Sequence, residues 1–577
     1  MAKWFVTTKK ADFDGIAQKY GITPVLARII RNRDVIEEKE IALFLNGTLT
    51  DLHDPRKMKD LEKGCEIILE KVSQKQKIRV IGDYDIDGIC STFLLKQALI
   101  LAGADVDTAI PHRMKDGYGL NEHLIAEAKE NGIDTIITCD NGIAAYEQIA
   151  YANELGMTVV ITDHHEVPYR ELDNGDRAEI LPPAAAVIDP KQKDCTYPYQ
   201  GICGAVVAYK FADVLLSMAA SVSEKDRARY LQEMLAFAAM ATIGDVMELL
   251  DENRILVKYG LQEMERTSNK GLRALLAVSD LEEKTLSPYH VGFILGPCIN
   301  ATGRLDTAKR ALSLFEAESE REAILIASEL KELNESRKEM TTKGLEEAVE
   351  KLECRPLSKV LVVYLPDCHE SLAGIIAGRL RERYNRPAIV ITKSEDGVKG
   401  SGRSIEAYSM YEELHKVEEL FTKYGGHPMA AGLSMAEESD VFTLRTRLNE
   451  LTTLTEEDFV EKVRIDVAMP LGYVNMDFVE ELSRLEPYGT GNPKPVFAQK
   501  QVCLTKGRVL GKNRNVVKFT CDDGSGHYFD AIYFGEADEM LGQVEAHGGM
   551  CSIVYYPDIN EYKGNRTIQI VIKYYDF

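Results

Sequence analysis

The chain has 577 residues, of which 45% are hydrophobic, 8% aromatic and 28% charged. That balance excludes disordered, collagen-like and disulfide-scaffold chains. At about 150 residues per domain, the length predicts about three to four units. Lys and Arg number 69 against 92 Asp and Glu, a net charge of −23. This argues against a membrane-coating or polycationic role, but it allows a basic channel within an acidic protein and carboxylates gathered around metal.

Residues 1–60, with Pro24 and the basic stretch Arg28–Arg33, read as a small helical lead-in. The opening MAKWFVTTKKADFDG has no apolar h-region, and the longest apolar stretch, Met234–Ile243, is too short to span a bilayer. Eleven cysteines include no C-x-x-C pair, the nearest two being Cys195 and Cys203. Free thiols in a soluble, cytoplasmic protein are expected.

From Ile78 an alternation begins. Strands are predicted at Ile78–Gly82, Val106–Ile110, Thr135–Thr138 and Thr158–Thr162, with helices at Gly88–Ala102, Asn121–Asn131 and Ile143–Leu155. Such alternation predicts a parallel sheet covered on both faces. Residues 201–280 read as mainly helical. Glu316–Glu353 reads as a long charged helix whose narrow apolar stripe is Ile324, Ala327, Leu330, Leu333, Met340, Leu345, Ala348 and Leu352, a connector packed on one side. A second α/β segment follows, with strands Lys359–Leu365 and Pro387–Thr392 around a helix at Glu370–Tyr384. From about 463, short runs such as Val516–Thr520 and Thr567–Tyr574 between Gly, Asn and Asp turns predict a small all-β barrel. The expected fold class is therefore multidomain α/β. Its units are a lead-in (1–50), a parallel-sheet domain (51–315), a connecting helix (316–355), a second α/β domain (356–455) and a barrel (463–577).

Acids and imidazoles fall at the strand ends. The first strand runs into VIGDYDIDGICS with Asp83, Asp85 and Asp87. The third runs into TCDNGI with Asp140, and the fourth into ITDHHE with Asp163, His164 and His165. In an open parallel sheet, ligands bind beyond the carboxyl ends of the strands. Four or more carboxylates gathered there need counter-charge, and Asp/His ligation without Cys suits Mn²⁺ or Mg²⁺. Asp245 in TIGDVMEL is a further candidate. Each motif alone has a plainer reading: a calcium loop or solvated turn for DxDxDG, a surface pair for His-His, a helix cap for Asp245. Their conjunction in phase with the strand ends favours a two-metal site.

Together DYDIDG, TCDNG, ITDHHE and GDVMEL resemble the DHH phosphoesterases, named for the triplet at Asp163–His165. RMKDGYG (113–119), INATGRL (299–305), LNESRKEM (333–340), GSGRS (400–404), YGGHPM (424–429) and PYGTGNPKPVF (487–497) resemble the branch of single-strand-specific 5′→3′ DNA exonucleases. The resemblance covers about residues 50–577. Asp116 stands where that pattern has Glu, Tyr488 where it has Phe, and HESLAG (369–374) is a loose version. None of these removes a metal ligand.

Carried over residue by residue, the resemblance implies that Asp85, Asp87, Asp140, His164 and Asp245 hold two divalent ions, with Asp140 and Asp245 bridging. Asp83 and Asp163 would support them, and His165 and Arg304 would face substrate phosphate. In the DHH-associated second domain, Ser401, Arg403, Gly426 and His427 would bind the terminal nucleotide and its 5′-phosphate. The barrel would be an OB-type fold gripping single strands along Lys506, Arg508, Lys512, Arg514 and Lys518, a run with no acid. Tyr528, Phe529, Tyr533 and Phe534 follow it, with no individual base contact assigned.

The expected function is removal of mononucleotides from the 5′ end of single-stranded DNA in repair and recombination. The expected partners are single-stranded DNA, a single-strand-binding protein and a helicase, with the enzyme a monomer. One alternative is an oligonucleotide, cyclic-dinucleotide or pyrophosphate hydrolase of the same superfamily, which the barrel disfavours. The other is a non-catalytic replication scaffold, which the full ligand set disfavours.

Overall fold

The computed structural model describes residues 2–113, 119–172, 177–394, 397–511, 513–562 and 564–577. Lys512 and most of the RMKDGYG motif, Asp116 included, lie outside the described residues.

The N-terminal segment departs from the expected lead-in. A strand, β1 (Lys3–Val6), pairs in parallel with Lys462–Ile465, and α1 (Phe13–Tyr20), α2 (Pro24–Asn32) and α3 (Glu38–Asn46) follow it. Thr23 caps α2 and Pro24 fills its first turn, where no N–H is needed. Leu26, Ile29, Ile30 and Phe44 share one core with Phe478, Leu485, Phe497 and Tyr555. Arg33 forks onto Asp466 at 2.5 and 3.2 Å in a buried pair. Removing either partner would strand a buried charge at a cost of about 3–5 kcal/mol. The expected helices are present, and the segment packs chiefly on the C-terminal barrel while Phe44 also meets Arg254, which lies over its ring and donates to its carbonyl.

The first sheet comprises β2 (Lys77–Ile81), β3 (Asp105–Ala109), β4 (Thr135–Cys139), β5 (Thr158–Thr162) and β6 (Ala186–Ile188), all parallel in the order β3-β2-β4-β5-β6. Its strands alternate between two cores. One helical layer, packed on Ile78, Val80, Ile137, Cys139 and Val160, includes α4 (Leu61–Ser73) and α5 (Ile86–Leu101). The opposite layer is α6 (Glu122–Glu130) and α7 (Tyr146–Glu154), packed on Ile81, Ile136, Val159 and Ile161. Burial on both faces explains the near-continuous apolar runs. The chain reverses direction of winding between β2 and β4, the place where ligands bind in such sheets.

The first layer is extended by α8 (Gly204–Met218) and α9 (Glu224–Gly244). The long helix Glu320–Glu353 spans about 50 Å at 1.5 Å per residue. Ala323, Ile326, Ala327 and Leu330 enter the first core, and Ala348 and Leu352 the second domain's. Two predicted stripe residues face outward, Ile324 (51% exposed) and Met340 (40%). Ile324 points away from the face that Ala323, Ile326, Ala327 and Leu330 bury, and Met340 lies in the middle, where the helix changes partner.

The second domain is a mixed five-stranded sheet that includes Leu361–Tyr364, Ala388–Ser394 and Gly397–Arg403. Strands Phe497–Leu510, Val516–Asp522, Tyr528–Phe534, Asn565–Asp576 and Met550–Tyr562 pair in that order, and the last returns to the first, closing a five-stranded barrel. That closure is the OB arrangement. All eleven cysteines are free thiols.

Candidate active site

Helix α5 begins at Ile86 because Asp85 caps it, its Oδ1 accepting the N–H of Asp87 (2.9 Å) and of Gly88 (3.1 Å). Asp87 is fully buried and accepts the first N–H groups of α8, Gly204 and Ala205, at 2.7 Å each. Asp140 follows β4 with φ 58°, a left-handed conformation that Asp tolerates. Gly204 permits that approach: a Cβ there would lie 2.7 Å from the Cβ of Asp140. Asp245 closes the C-terminus of α9. Two plain capping roles are thus real, and they aim their carboxylates at one place.

The centre is His164. Its Nε2 lies 3.1 Å from Asp140 Oδ1, 3.6 Å from Asp87 Oδ2 and 3.8 Å from Asp245 Oδ2. Among the described residues, three groups place donor atoms within 4.8 Å of one another: Asp140–His164–His165, Asp87–His164–Asp245 and Asp83–Asp85–Asp140. All five expected ligands come together. Asp83, expected behind them, brings an oxygen into the third group. Asp140 and His164 are the residues shared between groups, whereas Asp245 belongs to one.

Burial, then the neighbouring carboxylates, pushes Asp83 and Asp245 up to about 8 and raises Asp85 and Asp140. Burial lowers His164 despite Asp87, leaving a neutral imidazole able to donate a lone pair. His165 behaves oppositely. Burial disfavours its charge, but the hydrogen bond from Nδ1 to Asp163 Oδ1 (2.7 Å) and the surrounding carboxylates prevail, lifting it to about 9. Burial likewise disfavours charge on Asp163, yet His165 and the N–H of Ile143 hold its carboxyl below the usual range.

Cationic side chains lie close to this cluster: Arg113 acts on the charge of Asp83 and sits over the ring of Tyr84. Arg113, Arg304, Arg379 and Arg403 line a cavity of about 370 Å³ together with Ser371, Ser401 and two carboxylates, Glu370 and Glu382, which the arginines outnumber. Burial, then Arg113 and Arg337, pushes Arg304 down to about 10. Burial, then Arg113 and Arg381, lowers Arg403. Guanidiniums that repel one another in a shared cavity form an anion site, and their forks match phosphate oxygens. Arg304 also donates to the carbonyl of Ser371 at 2.7 Å, linking the two domains. A Cβ at Gly374 would meet Arg403 Nη2 at 2.8 Å, so the loose HESLAG motif keeps the glycine the cavity needs.

Gly426 and His427 are exposed on the strand Lys423–His427, outside the residues that line this cavity. Sequence reasoning gives no role to Arg113, although its motif belongs to the resemblance. In the barrel, Lys506 and Arg508 are exposed. Arg514 forks onto Asp538 and Lys518 pairs with Asp530 at 2.8 Å, so the basic run is less free than its sequence suggests. Of the four aromatics, Tyr528 and Phe534 are exposed, while Phe529 and Tyr533 pack against the core.

A doubly wound sheet with carboxylates and imidazoles at its strand ends, meeting a second domain at an arginine-lined cavity, defines a metal-dependent phosphoesterase of the DHH class. Residues 77–242 match the DHH family N-terminal domain, 357–453 the DHHA1 domain and 465–574 the RecJ OB domain. The single-stranded-DNA-specific exonuclease RecJ of Bacillus subtilis strain 168 is 36% identical over 563 residues, covering 97% of this chain and 68% of the relative. That of Escherichia coli K12 is 32% identical over 575 residues, covering 96% and 95%. The crystal structure of RecJ with Mn²⁺ from Thermus thermophilus superposes with a TM-score of 0.83 at 26% identity, covering all of this chain and 79% of that one. This chain belongs to the RecJ family.

Proposed function

We propose that the chain is a metal-dependent exonuclease that degrades single-stranded DNA from its 5′ end to mononucleotides, in repair and recombination. The observation that carries this is the Asp/His cluster with the Arg113–Arg304–Arg403 cavity beside it, Tyr84 lying within reach of Asp83, Asp85, Arg113 and Arg304. A hydrolytic centre thereby stands beside a pocket for a terminal anion. The relatives in B. subtilis and E. coli are named as single-stranded-DNA-specific exonucleases.

The residues fit divalent metal: carboxylates raised by burial and mutual repulsion hold protons a cation would replace, and His164 is neutral. Asp85, Asp87, Asp140, His164 and Asp245 would hold two Mn²⁺ or Mg²⁺ ions, with Asp83 beside them. Metal there supplies Lewis-acid charge and an acidified water. Protein groups do the rest. His165, kept cationic by Asp163, donates a hydrogen bond to an oxygen of the scissile phosphate. Arg304 and Arg403 hold the neighbouring and terminal phosphates, fixing the strand for in-line attack. Walls joined at Arg304 and Ser371 favour one strand over a duplex.

One chain supplies both walls, which supports action as a monomer. A helicase would deliver the single strand, and a single-strand-binding protein would keep it open. No helix among the described residues is long and apolar enough to cross a membrane, and the free thiols suit a cytoplasmic site.

Digestion of strands labelled at either end tests the reading. With Mn²⁺, a 5′ label should appear as mononucleotide from the first time points while a 3′ label stays in shortening products. Asp140→Ala should abolish cleavage and retain binding. Release of the 3′ label first would reverse the polarity, and cleavage of neither strand would sink the nuclease.

A further inference from the structure

Between the metal cluster and the barrel lies a strip of exposed apolar side chains. Val246, next to Asp245, is 68% exposed with φ 59°, an unusual conformation for a β-branched residue. Phe293 is 68% exposed and Tyr289 61%, and their rings stack at 5.1 Å with 23° between planes. Single exposed aromatics are ordinary, but two stacked faces open to water are not.

Their backbone places them. Phe293 sits in a π-helical turn, Val291–Leu295, of a kind frequent at functional sites. A Cβ at Gly292 would lie 3.7 Å from Ile243, two residues before Asp245. One at Gly296 would lie 3.4 Å from Ile86, between Asp85 and Asp87. The same helical run continues through Gly296–Leu305 to Arg304. At the other end, Tyr289 lines a cavity of about 680 Å³ with Lys258, Glu486, Tyr488 and Lys494. There the segment entering the barrel meets the first domain, as the bond from Leu249 N–H to the Thr490 carbonyl also shows. The turn that carries the two rings thus packs beside the cluster's elements at one end and reaches the approach to the barrel at the other.

We propose that Tyr289 and Phe293 form a base-stacking platform that carries the single strand from the metal cluster toward the barrel. The inference rests on the nuclease reading. Ring faces suit an enzyme that must accept every sequence, because each base offers a π-face. Val246 would flank the first unstacked base.

Strands carrying two adjacent abasic sugars, stepped inward from the 5′ end, test this with chelator present so that the strand survives. In the wild type, one window short of the barrel-bound portion should lose affinity by about fivefold or more, the effect of a lost stack. In the Tyr289→Ala/Phe293→Ala variant that window should vanish, and Phe293→Trp should keep it. An identical profile in wild type and double variant overturns the platform and leaves the strip to a protein partner. Turnover of the intact strand by the wild-type enzyme with Mn²⁺ is run in parallel. Its absence would fail the nuclease reading, which a flat abasic profile alone would not.

Discussion

Asp163 accepts Nδ1 of His165 at 2.7 Å through one carboxylate oxygen and the backbone N–H of Ile143 at 2.9 Å through the other. The aspartate is therefore clamped between the loop after β4 and the ring it orients. Its partner is held cationic up to about pH 9, beside a neighbouring histidine kept neutral. Two adjacent imidazoles with opposite charge preferences are suited to opposite tasks: donating to an anion and ligating a cation.

Asp163→Asn should lower the pKa of His165 by removing the charge that raises it. The sign follows from the raised value. The imidazolium is favoured in the folded state, so its contribution is whole below about 6.5 and lost as pH climbs through about 9. The alkaline limb of the pH–rate profile should move to lower pH in the variant, with turnover at pH 8 reduced roughly 10–100-fold as for loss of an orienting carboxylate behind a metal site. Coincident limbs would remove His165 from the chemistry.

Stripping metal should make stability depend on pH. Asp83 and Asp245 titrate near 8 when folded, against 3.8 ordinarily. The metal-free folded state thus binds protons that the unfolded chain releases, and its stability falls as pH rises from about 4 to about 8. Urea midpoints with Mn²⁺ and with chelator should diverge between pH 5.5 and 8. A constant gap would show that the carboxylates are not the sites metal occupies.

Arg403→Ala should erode the preference for a 5′-phosphate over a 5′-hydroxyl end. A charge-assisted bond of this type is worth roughly 1.5–3 kcal/mol, so discrimination should fall about tenfold or more. Comparison of kcat/KM on the two ends decides it. Equal slowing of both would mean that Arg403 does not touch the terminal phosphate.

The barrel's basic run should divide by its ion pairs. Lys506→Gln with Arg508→Gln should flatten the plot of log affinity against log salt on a long strand by about 1.4, at about 0.7 per phosphate contact. Arg514 and Lys518 are engaged by Asp538 and Asp530, so replacing them should change the slope less. Equal slopes for both pairs and the wild type would leave the run a solvated face. Substitution is the better probe than deletion of 463–577, which would uncover the N-terminal helices.

The first domain is readable in the sequence because a parallel sheet is written locally. Each apolar run marks a strand, and the polar residues after it must lie on the carboxyl edge, so strand order alone brings Asp83, Asp140 and Asp163 together. What escapes depends on partners distant in the chain. Nothing near Lys3 announces Lys462, and nothing near Arg33 announces Asp466. The run from Lys506 to Lys518 contains no acid, yet Asp538 and Asp530 fold back onto its far half. Arg113 carries a motif without a role because its neighbours in the cavity, Arg304 and Arg403, come from other elements. The expected helical stripe fails at Met340, where the helix changes partner, and at Ile324, which points away from the face that Ala323 and Ile326 bury.

The union of the chain's beginning with its end has a consequence for synthesis. Leu26, Ile29, Ile30 and Phe44 emerge from the ribosome early, but apart from Leu250 and Arg254 the distant residues that cover them lie between 467 and 572. At about 5–20 residues per second, roughly 20–80 s separate the two. Throughout that interval the nascent chain presents an amphipathic helical surface that still lacks most of its cover, a client for a holding chaperone. A ribosome that stalls before residue 467 releases a product whose catalytic sheet is complete and whose first helices remain sticky.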